Sequence, residues 1–162
     1  MSVMNCKIRI AVPADEDKIR ALFLEMLRTI CGTEQVEGYS DGYLDRFWAG
    51  GEDRIYVAED GDVVAFLSVE VHDDHGKYLY LDDFSVTAAC RGKGIGSALI
   101  RAAEAFAAEV RAAAVLLHVN KTNSSAMRLY ERAGYSIYRD DGPRFLMKKD
   151  IDANPGAASH GQ

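Results

Sequence analysis

Hydrophobic residues follow two spacings in the first third of the chain, one typical of strands and one typical of helices. Ile8, Ile10 and Val12 alternate with other residues, which predicts a half-buried strand. Over 15–32 the apolar positions recur every three or four residues, so an amphipathic helix is predicted there. A second helix with an aromatic face is predicted over 40–49. The chain is thus expected to begin with a strand followed by two helices.

The pattern changes to alternation in the middle of the chain, where a sheet is predicted. Asp60-Gly61 separates alternating runs at 55–59 and 63–71, and it supplies the positive φ that a two-residue hairpin turn requires. The continuous apolar run over 114–119 is typical of a central strand covered on both faces. Further strands are predicted at 78–86, 135–138 and 144–149, and helices at 94–111 and 125–133.

Composition and charge restrict the class of protein. With 162 residues, 48% of them hydrophobic, the sequence is typical of one compact domain. The formal charge of −6 disfavours nucleic acid and acidic membrane surfaces as partners. Cys6, Cys31 and Cys90 form no C-x-x-C pair, so neither a disulfide framework nor a zinc site is indicated. Because no leader or long apolar stretch is evident, a cytoplasmic protein is expected.

A glycine-rich segment carries the clearest chemical signal. The predicted strand ending in Asp82–Val86 is followed by Thr87–Cys90 and then by Arg91–Ser97, which opens a helix. Backbone N–H groups converge at such a turn and form an anion site, to which Arg91 and Lys93 add positive charge. The dinucleotide pattern G-x-G-x-x-G and the P-loop pattern are both absent. A pyrophosphate of another kind is therefore the predicted ligand.

Two motifs in this sequence match the patterns of one known family. Arg91–Gly96 matches the pattern [RQ]-x-x-G-x-[GA], and it follows a strand of that family's form. A second pattern, N-x-x-A-x-x-x-Y-x-x-x-G-[FY], also has a complete match. Its matching residues are Asn123, Ala126, Tyr130, Gly134 and Tyr135. In these motifs, and in their order and separation, the sequence resembles the GNAT superfamily of acetyl-coenzyme A-dependent N-acetyltransferases.

The resemblance implies a fold, a domain organisation and a cosubstrate. The implied fold is α/β (α+β), with a mixed, mostly antiparallel sheet of six or seven strands, four flanking helices and a splay between the two central strands. One domain is expected over 1–151, with a disordered tail over 152–162. The implied cosubstrate is acetyl-coenzyme A (acetyl-CoA), and no metal is expected. His72 and His75 flank two aspartates, but a solvated turn is the favoured interpretation of that run.

The resemblance also implies which residues bind the coenzyme. The amides of the glycine turn would bind the pyrophosphate, and the end of the preceding strand would pair with the pantetheine arm. A strand amide near Ser85 or Val86 would polarise the thioester carbonyl. Asn123 would contact the pantetheine, or else it caps a helix. The implied coenzyme-binding residues are Phe84, Ser85, Val86, Arg91, Gly92, Lys93, Gly94, Ile95, Gly96, Ser97, Asn123, Ala126 and Tyr130.

Tyr130 is the implied general acid, which would protonate the departing thiolate, and core packing is the alternative. The base that deprotonates the amine stays open among Asp82, Asp83 and His118. Asp82 and Asp83 are adjacent on a strand and therefore point to opposite faces. His118 stands where acetyltransferases of protein N-termini tend to have glutamate, and imidazole titrates near neutral pH.

The acceptor is expected to be a small, cationic primary amine. A protein N-terminal amine is the alternative within enzymes, and a non-catalytic acyl-CoA-binding module is the alternative of another class. Tyr39, Tyr43 and Phe47 are expected either to cover the acceptor end of the site or to pack in the core. Cys90 has no evident base beside it, which disfavours a nucleophilic cysteine. A homodimer is a further expectation.

Overall fold

A computed structural model describes residues 6–152 of the chain. Three α-helices, seven strands and three short 3-10 helices make up this part of the chain. The principal elements are β1 (Lys7–Ile10), α1 (Glu16–Cys31), β2 (Arg54–Asp60), β3 (Asp62–Asp73), β4 (Lys77–Val86), α2 (Ile95–Glu109), β5 (Ala114–Asn120), α3 (Ser124–Arg132), β6 (Ser136–Asp141) and β7 (Arg144–Asp150). The 3-10 helices are Pro13–Asp15, Tyr43–Phe47 and Ala88–Cys90.

The strands form one sheet with the hydrogen-bonded order β1-β2-β3-β4-β5-β7-β6. β4 and β5 are parallel, whereas the pairs β1–β2, β2–β3, β5–β7 and β6–β7 are antiparallel. The parallel ladder runs from Tyr78 opposite Ala114 to Leu81 opposite Leu117, and the splay of these strands is expected from that point on. A mixed, mostly antiparallel sheet of seven strands confirms the predicted fold class.

The chain divides into two compact units. The first contains residues 6–69 together with Asp83–Leu99, and the second contains Glu70–Asp82 together with residues 100–152. The expected domain over 1–151 stays a prediction. The expected disordered tail, apart from residue 152, lies outside the described residues. Within residues 6–152, none of the helices has the length and apolarity that crossing a membrane requires.

The first unit is built around one face of α1. Ile19 and Leu22 are buried on that face, and they belong to a cluster of buried side chains that also includes residues of β2 and β3. Gly32 ends the helix at a φ of +67°, with its N–H donating to the carbonyl of Arg28 at 2.9 Å. The remaining members of the cluster are Ala11, Leu44, Phe47, Ile55, Val57, Val63 and Phe66.

The second predicted helix is not an α-helix, so the expectation of four flanking helices is wrong for residues 6–152. The segment contains only the 3-10 helix Tyr43–Phe47, which follows Gly42 at a φ of +77°. Helices this short are marginal by themselves, and Leu44 and Phe47 hold the segment through their burial in the core. The aromatic pattern therefore reflects packing of a short turn rather than the face of a longer helix.

The second unit contains β5, which pairs with β4 on one side and β7 on the other. Val115, Leu117 and Val119 are buried, whereas Leu116 and His118 on the opposite face are only half-buried. The prediction of a central strand is confirmed. On the face that carries His118, Ala114 is buried as well, so this face is covered less completely than the other but is not open.

Candidate active site

The glycine turn lies in the first unit, between the 3-10 helix Ala88–Cys90 and the start of α2 at Ile95. Gly92 and Gly94 have φ angles of +75° and +83°, which residues with a side chain rarely adopt. A Cβ atom at either position would meet no other atom within 4 Å, so the space beside the turn is open. The first N–H groups of α2 have no acceptor within the helix. The turn thus offers donors and room to an anion, and it fits the pyrophosphate of a coenzyme.

The two basic residues of the turn differ in their contacts. Arg91 Nε donates to the carbonyl of Val86 at 3.0 Å, and Arg91 Nη2 lies 3.9 Å from Glu25 Oε2. Arg91 therefore links the turn to the end of β4 by a hydrogen bond. Lys93 is exposed on the same turn.

The end of β4 is fixed to α1 through Ser85. This side chain is buried, and its hydroxyl donates to the carbonyl of Leu22 at 3.3 Å. Phe84 and Val86 are half-buried and, by the alternation of a strand, face away from Ser85. The segment predicted to pair with pantetheine is therefore anchored on one face.

Asp83 is held by two groups of the first unit. Tyr39 Oη donates to Asp83 Oδ2 at 2.6 Å, and the Asp83 N–H donates to Ser68 Oγ at 2.9 Å. The Tyr39 ring stacks on Phe23 and Tyr43, with centroid distances of 3.8 Å and 4.7 Å. The carboxylate of Asp83 thus anchors the segment that carries Tyr39.

The three aromatic residues predicted near the acceptor have different environments. Phe47 is buried in the core of the first unit, which agrees with the core-packing alternative. Tyr39 is partly buried against that core, and Tyr43 is exposed. The guanidinium of Arg46 lies over the Tyr43 ring, 5.3 Å from its centroid.

In the second unit, His118 is the middle of a hydrogen-bonded chain of three side chains. Its Nδ1 lies 2.6 Å from Tyr80 Oη, and its Nε2 lies 2.8 Å from Asp141 Oδ2. Arg139 donates to both carboxylate oxygens of Asp141, at 2.7 Å and 3.1 Å. The hydrogen bonds from Arg139 and His118 lower the pKa of Asp141 to about 2, so this residue is a carboxylate at neutral pH.

The ionised state of Asp141 determines which nitrogen of neutral His118 carries the proton. A carboxylate can only accept hydrogen bonds, so neutral His118 carries its proton on Nε2. Nδ1 is then an acceptor, and Tyr80 Oη is the donor. Burial, and next the charge of Asp82, raises the pKa of Tyr80. The sequence had indicated His118 and Asp82 but not Tyr80 or Asp141.

Asp82 is exposed at the position after the β4–β5 ladder, two residues from Tyr80 on the same face of β4. It belongs to the second unit, whereas Asp83 belongs to the first. Both aspartates lie in β4, where adjacent side chains point to opposite faces, and Asp82 is exposed whereas Asp83 is half-buried. The charge of Asp82 acts on Tyr80, and the carboxylate of Asp83 is bonded to Tyr39.

Helix α3 carries the second motif. Asn123 caps the helix, because its Oδ1 accepts from the Ala126 N–H at 3.2 Å. Tyr130 is buried, with 8% of its surface exposed, and burial raises its pKa to about 12. Tyr130 is thus a phenol and not a phenolate at neutral pH.

The motif residues that follow Tyr130 fix the end of α3. Gly134 has a φ of +101°, and Lys149 Nζ donates to the Ala133 carbonyl at 2.7 Å and to Glu104 Oε1 at 3.1 Å. Tyr135 Oη donates to Glu104 Oε2 at 2.9 Å. A Cβ at Gly134 would lie 3.2 Å from Lys149 Cε, so glycine leaves room for this lysine.

The H-D-D-H run lies at the end of β3 and in the following turn. His72 Nε2 lies 3.0 Å from Glu70 Oε1, and the His72 ring stacks on Tyr78 with a centroid distance of 5.1 Å. In the described residues, no group of three histidine, cysteine or acidic side chains is arranged to hold a metal ion. Cys90 is a half-buried free thiol.

Comparison with known proteins defines the class. The model of the acetyltransferase (GNAT) family matches residues 20–135, a range that includes both motifs and the hydrogen-bonded Tyr80 and His118. The chain therefore belongs to the GNAT family, the acetyl-CoA-dependent N-acetyltransferases.

Two curated relatives are acetyltransferases of small molecules by name. Streptothricin acetyltransferase of Streptomyces lavendulae is 34% identical over 103 residues, which cover 62% of this chain and 54% of the relative. Aminoalkylphosphonate N-acetyltransferase of Salmonella typhimurium (strain LT2) is 27% identical over 133 residues, which cover 80% of this chain and 84% of the relative. The chain thus matches only about half the length of the first relative.

Solved structures share the fold. Arabidopsis thaliana NAA60 in complex with acetyl-CoA superposes with a TM-score of 0.76 at 16% identity, covering 91% of this chain and 99% of the other. The PaiA N-acetyltransferase from Thermoplasma acidophilum in complex with coenzyme A superposes with a TM-score of 0.73 at 18% identity, covering 91% of this chain and 100% of the other. Both are bound to a form of the coenzyme that the sequence predicted for this chain.

Proposed function

We propose that the protein transfers the acetyl group of acetyl-CoA directly to a primary amine of a small, cationic molecule. The observation that carries this proposal is the chain Tyr80–His118–Asp141, which provides a route for the proton that an amine must lose. The named substrates of the two curated relatives are consistent with a small acceptor.

The first unit supplies the residues that would hold the coenzyme. The N–H groups of Gly92–Ser97 and the ammonium of Lys93 would bind the pyrophosphate, and Phe84–Val86 would offer main-chain groups to the pantetheine. Ser85 keeps this strand end in place through its bond to α1. When bound, acetyl-CoA supplies the activated acetyl thioester.

The proton of the acceptor amine passes to Tyr80 and His118 in this proposal. The amine gives a proton to Tyr80 Oη while the phenol proton moves to Nδ1 of His118. The resulting imidazolium is stabilised by the carboxylate of Asp141, 2.8 Å from Nε2. Each group ends with a complete set of bonds, and the positive charge resides beside an anion.

Tyr130 gives a proton to the departing sulfur. Its raised pKa keeps the phenol protonated at the pH where the amine reacts, so the donor is always in the required form. Because the thiol of a coenzyme is a stronger acid than this buried phenol, proton transfer to the thiolate is unfavourable by itself, and it is completed when the Tyr130 phenolate regains a proton from solvent.

The two adjacent aspartates have separate roles in the proposal. Asp83 is bonded to Tyr39 and positions the segment from α1 to the 3-10 helix Tyr43–Phe47. Asp82 is exposed and attracts the cationic acceptor, rather than removing its proton. The assignment of the base to Tyr80 and His118 thus replaces Asp82 as the first candidate.

An acceptor screen tests the proposal. Purified protein and acetyl-CoA are incubated with polyamines, aminoglycosides, neutral amino acids and peptides with a free N-terminus, and both thiol release and the mass of each amine are followed. Release with a cationic small amine supports the proposal. Turnover of peptides alone would identify an N-terminal acetyltransferase, and coenzyme binding without turnover would identify a binding module.

A further inference from the structure

A single carboxylate of α1 contacts the connection that leads from β4 into the glycine turn. We infer that Glu25 is a positioning residue for coenzyme binding, which holds this connection so that the turn presents its N–H groups to the pyrophosphate. The inference rests on the proposed function, because it concerns the same coenzyme site.

Glu25 uses both of its oxygens in this connection. Thr87 Oγ1 donates to Glu25 Oε1 at 2.8 Å, and the Ala88 N–H donates to Glu25 Oε2 at 3.0 Å. Arg91 Nη2 lies 3.9 Å from Oε2. The contacts therefore span the residues from the end of β4 to the first residue of the turn.

The position of these contacts explains how one side chain can set the geometry of the turn. Ala88 is the first residue of a 3-10 helix, where an N–H group lacks a partner within the helix and a negative charge is favourable. Arg91 is also bonded to the Val86 carbonyl, so its guanidinium contacts the end of β4 as well as Glu25. Removal of the carboxylate leaves the connection free to adopt other arrangements.

A purely structural role is disfavoured by the exposure of Glu25. Its side chain is 36% exposed and lies outside the buried core of the first unit. Its side-chain polar contacts are made to residues 87–91, which form the connection and the first residue of the turn. We therefore expect its loss to change coenzyme affinity much more than folding.

Charge compensation of Arg91 is the alternative role for Glu25, and it predicts the opposite change in coenzyme affinity. If Glu25 only neutralises Arg91, its removal frees a positive charge beside the turn and strengthens the binding of phosphates. The direction of the change in affinity therefore separates positioning from charge compensation.

The test compares Glu25→Ala, Glu25→Gln and Glu25→Asp with wild type by calorimetric titration with coenzyme A. Loss of charged hydrogen bonds of this kind corresponds to a rise in Kd of about tenfold for Glu25→Ala, with a smaller rise for Glu25→Gln. Glu34→Ala is the matched control, because Glu34 also lies near an arginine, in its case Arg28 of α1, but is far more exposed. Its Kd should equal that of wild type.

A second donor isolates the pyrophosphate. With S-acetylpantetheine, which has no pyrophosphate, kcat/KM of Glu25→Ala should match wild type, whereas with acetyl-CoA KM should rise and kcat should stay unchanged. If Glu25→Ala fails to fold, Thr87→Val removes one donor to the same carboxylate and should raise Kd, while Thr87→Ser should not.

Unchanged or tighter coenzyme binding in folded Glu25→Ala, or in Thr87→Val where that variant replaces it, would overturn the inference. An equal loss with both acetyl donors would overturn it as well. Failure of the wild-type protein to bind coenzyme A would instead refute the proposed function, so the two failures are distinguishable.

Discussion

At the residue scale, burial determines the chemistry available to Tyr130. The same low exposure that raises its pKa also suits a side chain that merely packs, so geometry alone leaves both roles open. The roles differ in what the hydroxyl contributes, because packing depends on the ring and proton donation depends on the oxygen.

Replacement of Tyr130 by phenylalanine separates these roles. We expect kcat to fall about 10²-fold, the scale of general acid catalysis, while the Kd of coenzyme A stays near the wild-type value. Steady-state kinetics and calorimetry measure the two quantities. Wild-type turnover in Tyr130→Phe would leave Tyr130 with a packing role only.

Asp141 offers a test of the proton route. Asp141→Asn removes the anion that stabilises protonated His118, so we expect kcat to fall by about 10²-fold. Asp140→Asn is the matched control, since Asp140 is the neighbouring aspartate and bonds to Lys121 instead. Equal rates for the two variants would contradict the assignment of the base.

The lowered pKa of Asp141 also determines the pH range in which its carboxylate stabilises the fold. Because the folded-state pKa is lowered to about 2, the carboxylate contributes stability that is present above its unfolded pKa of about 4 and is lost as pH falls through 2. The acid limb of the rate profile should therefore come from a group other than Asp141. An acid limb with an apparent pKa near 2 in the wild-type rate profile would contradict this expectation.

Sequence reasoning could select candidate residues in short motifs, but it could not identify partners distant in the chain. Gly92, Gly94 and Tyr130 stand at fixed spacings that can be read directly. Tyr80 and Asp141 lie 38 and 23 residues from His118, and only the register of β4, β5, β7 and β6 brings them to it. A lone strand histidine gave no indication of these partners.

At the element scale, the glycine turn has two features that matter for binding: a backbone conformation that favours glycine and open space beside it. Both glycines have a positive φ, and a Cβ at either would meet nothing within 4 Å. A substitution there thus introduces local strain and fills space outside the turn, without disturbing neighbouring side chains.

Gly94→Trp is expected to weaken coenzyme A binding by more than tenfold, since an indole would occupy the approach to the N–H groups. Gly61→Trp is the matched control, because Gly61 has a φ of +74° and equally open surroundings but lies in the β2–β3 hairpin. The two variants should lose similar stability in urea unfolding. Equal coenzyme affinity in both would refute the location of the site.

The elements that the sequence predicted correctly are those with a regular pattern and a clear end. The hairpin at Gly61 and the helix that became α2 are examples. The segment around Tyr43–Phe47 was predicted as a helix because aromatic residues recur in it. Its ends at Gly42 and Gly50, both with positive φ, leave too little length for an α-helix.

At the scale of the whole molecule, the charge distribution bears on the acceptor. The net charge is −6, yet Arg91 and Lys93 lie together on the glycine turn. A cationic acceptor would be attracted by the overall field and by exposed Asp82, whereas an acidic acceptor would be repelled.

We therefore expect kcat/KM for a polyamine to fall about two- to tenfold as ionic strength rises, because salt screens this attraction. A neutral amino acid should show little change over the same range. Asp82→Asn should reduce the salt dependence for the polyamine. Preference for an acidic amine, or a rate without salt dependence, would contradict a cationic substrate.

The direct transfer of acetyl from the coenzyme to an amine is the central claim, and label transfer tests it most directly. Protein is mixed with acetyl-CoA labelled in the acetyl group, with and without the best amine of the screen, and the label is followed in protein and amine. The account predicts one thiol released for each acetyl group found on the amine, and no label on the protein when amine is absent. Label bound covalently to the protein, or coenzyme binding without transfer to any amine, would contradict it.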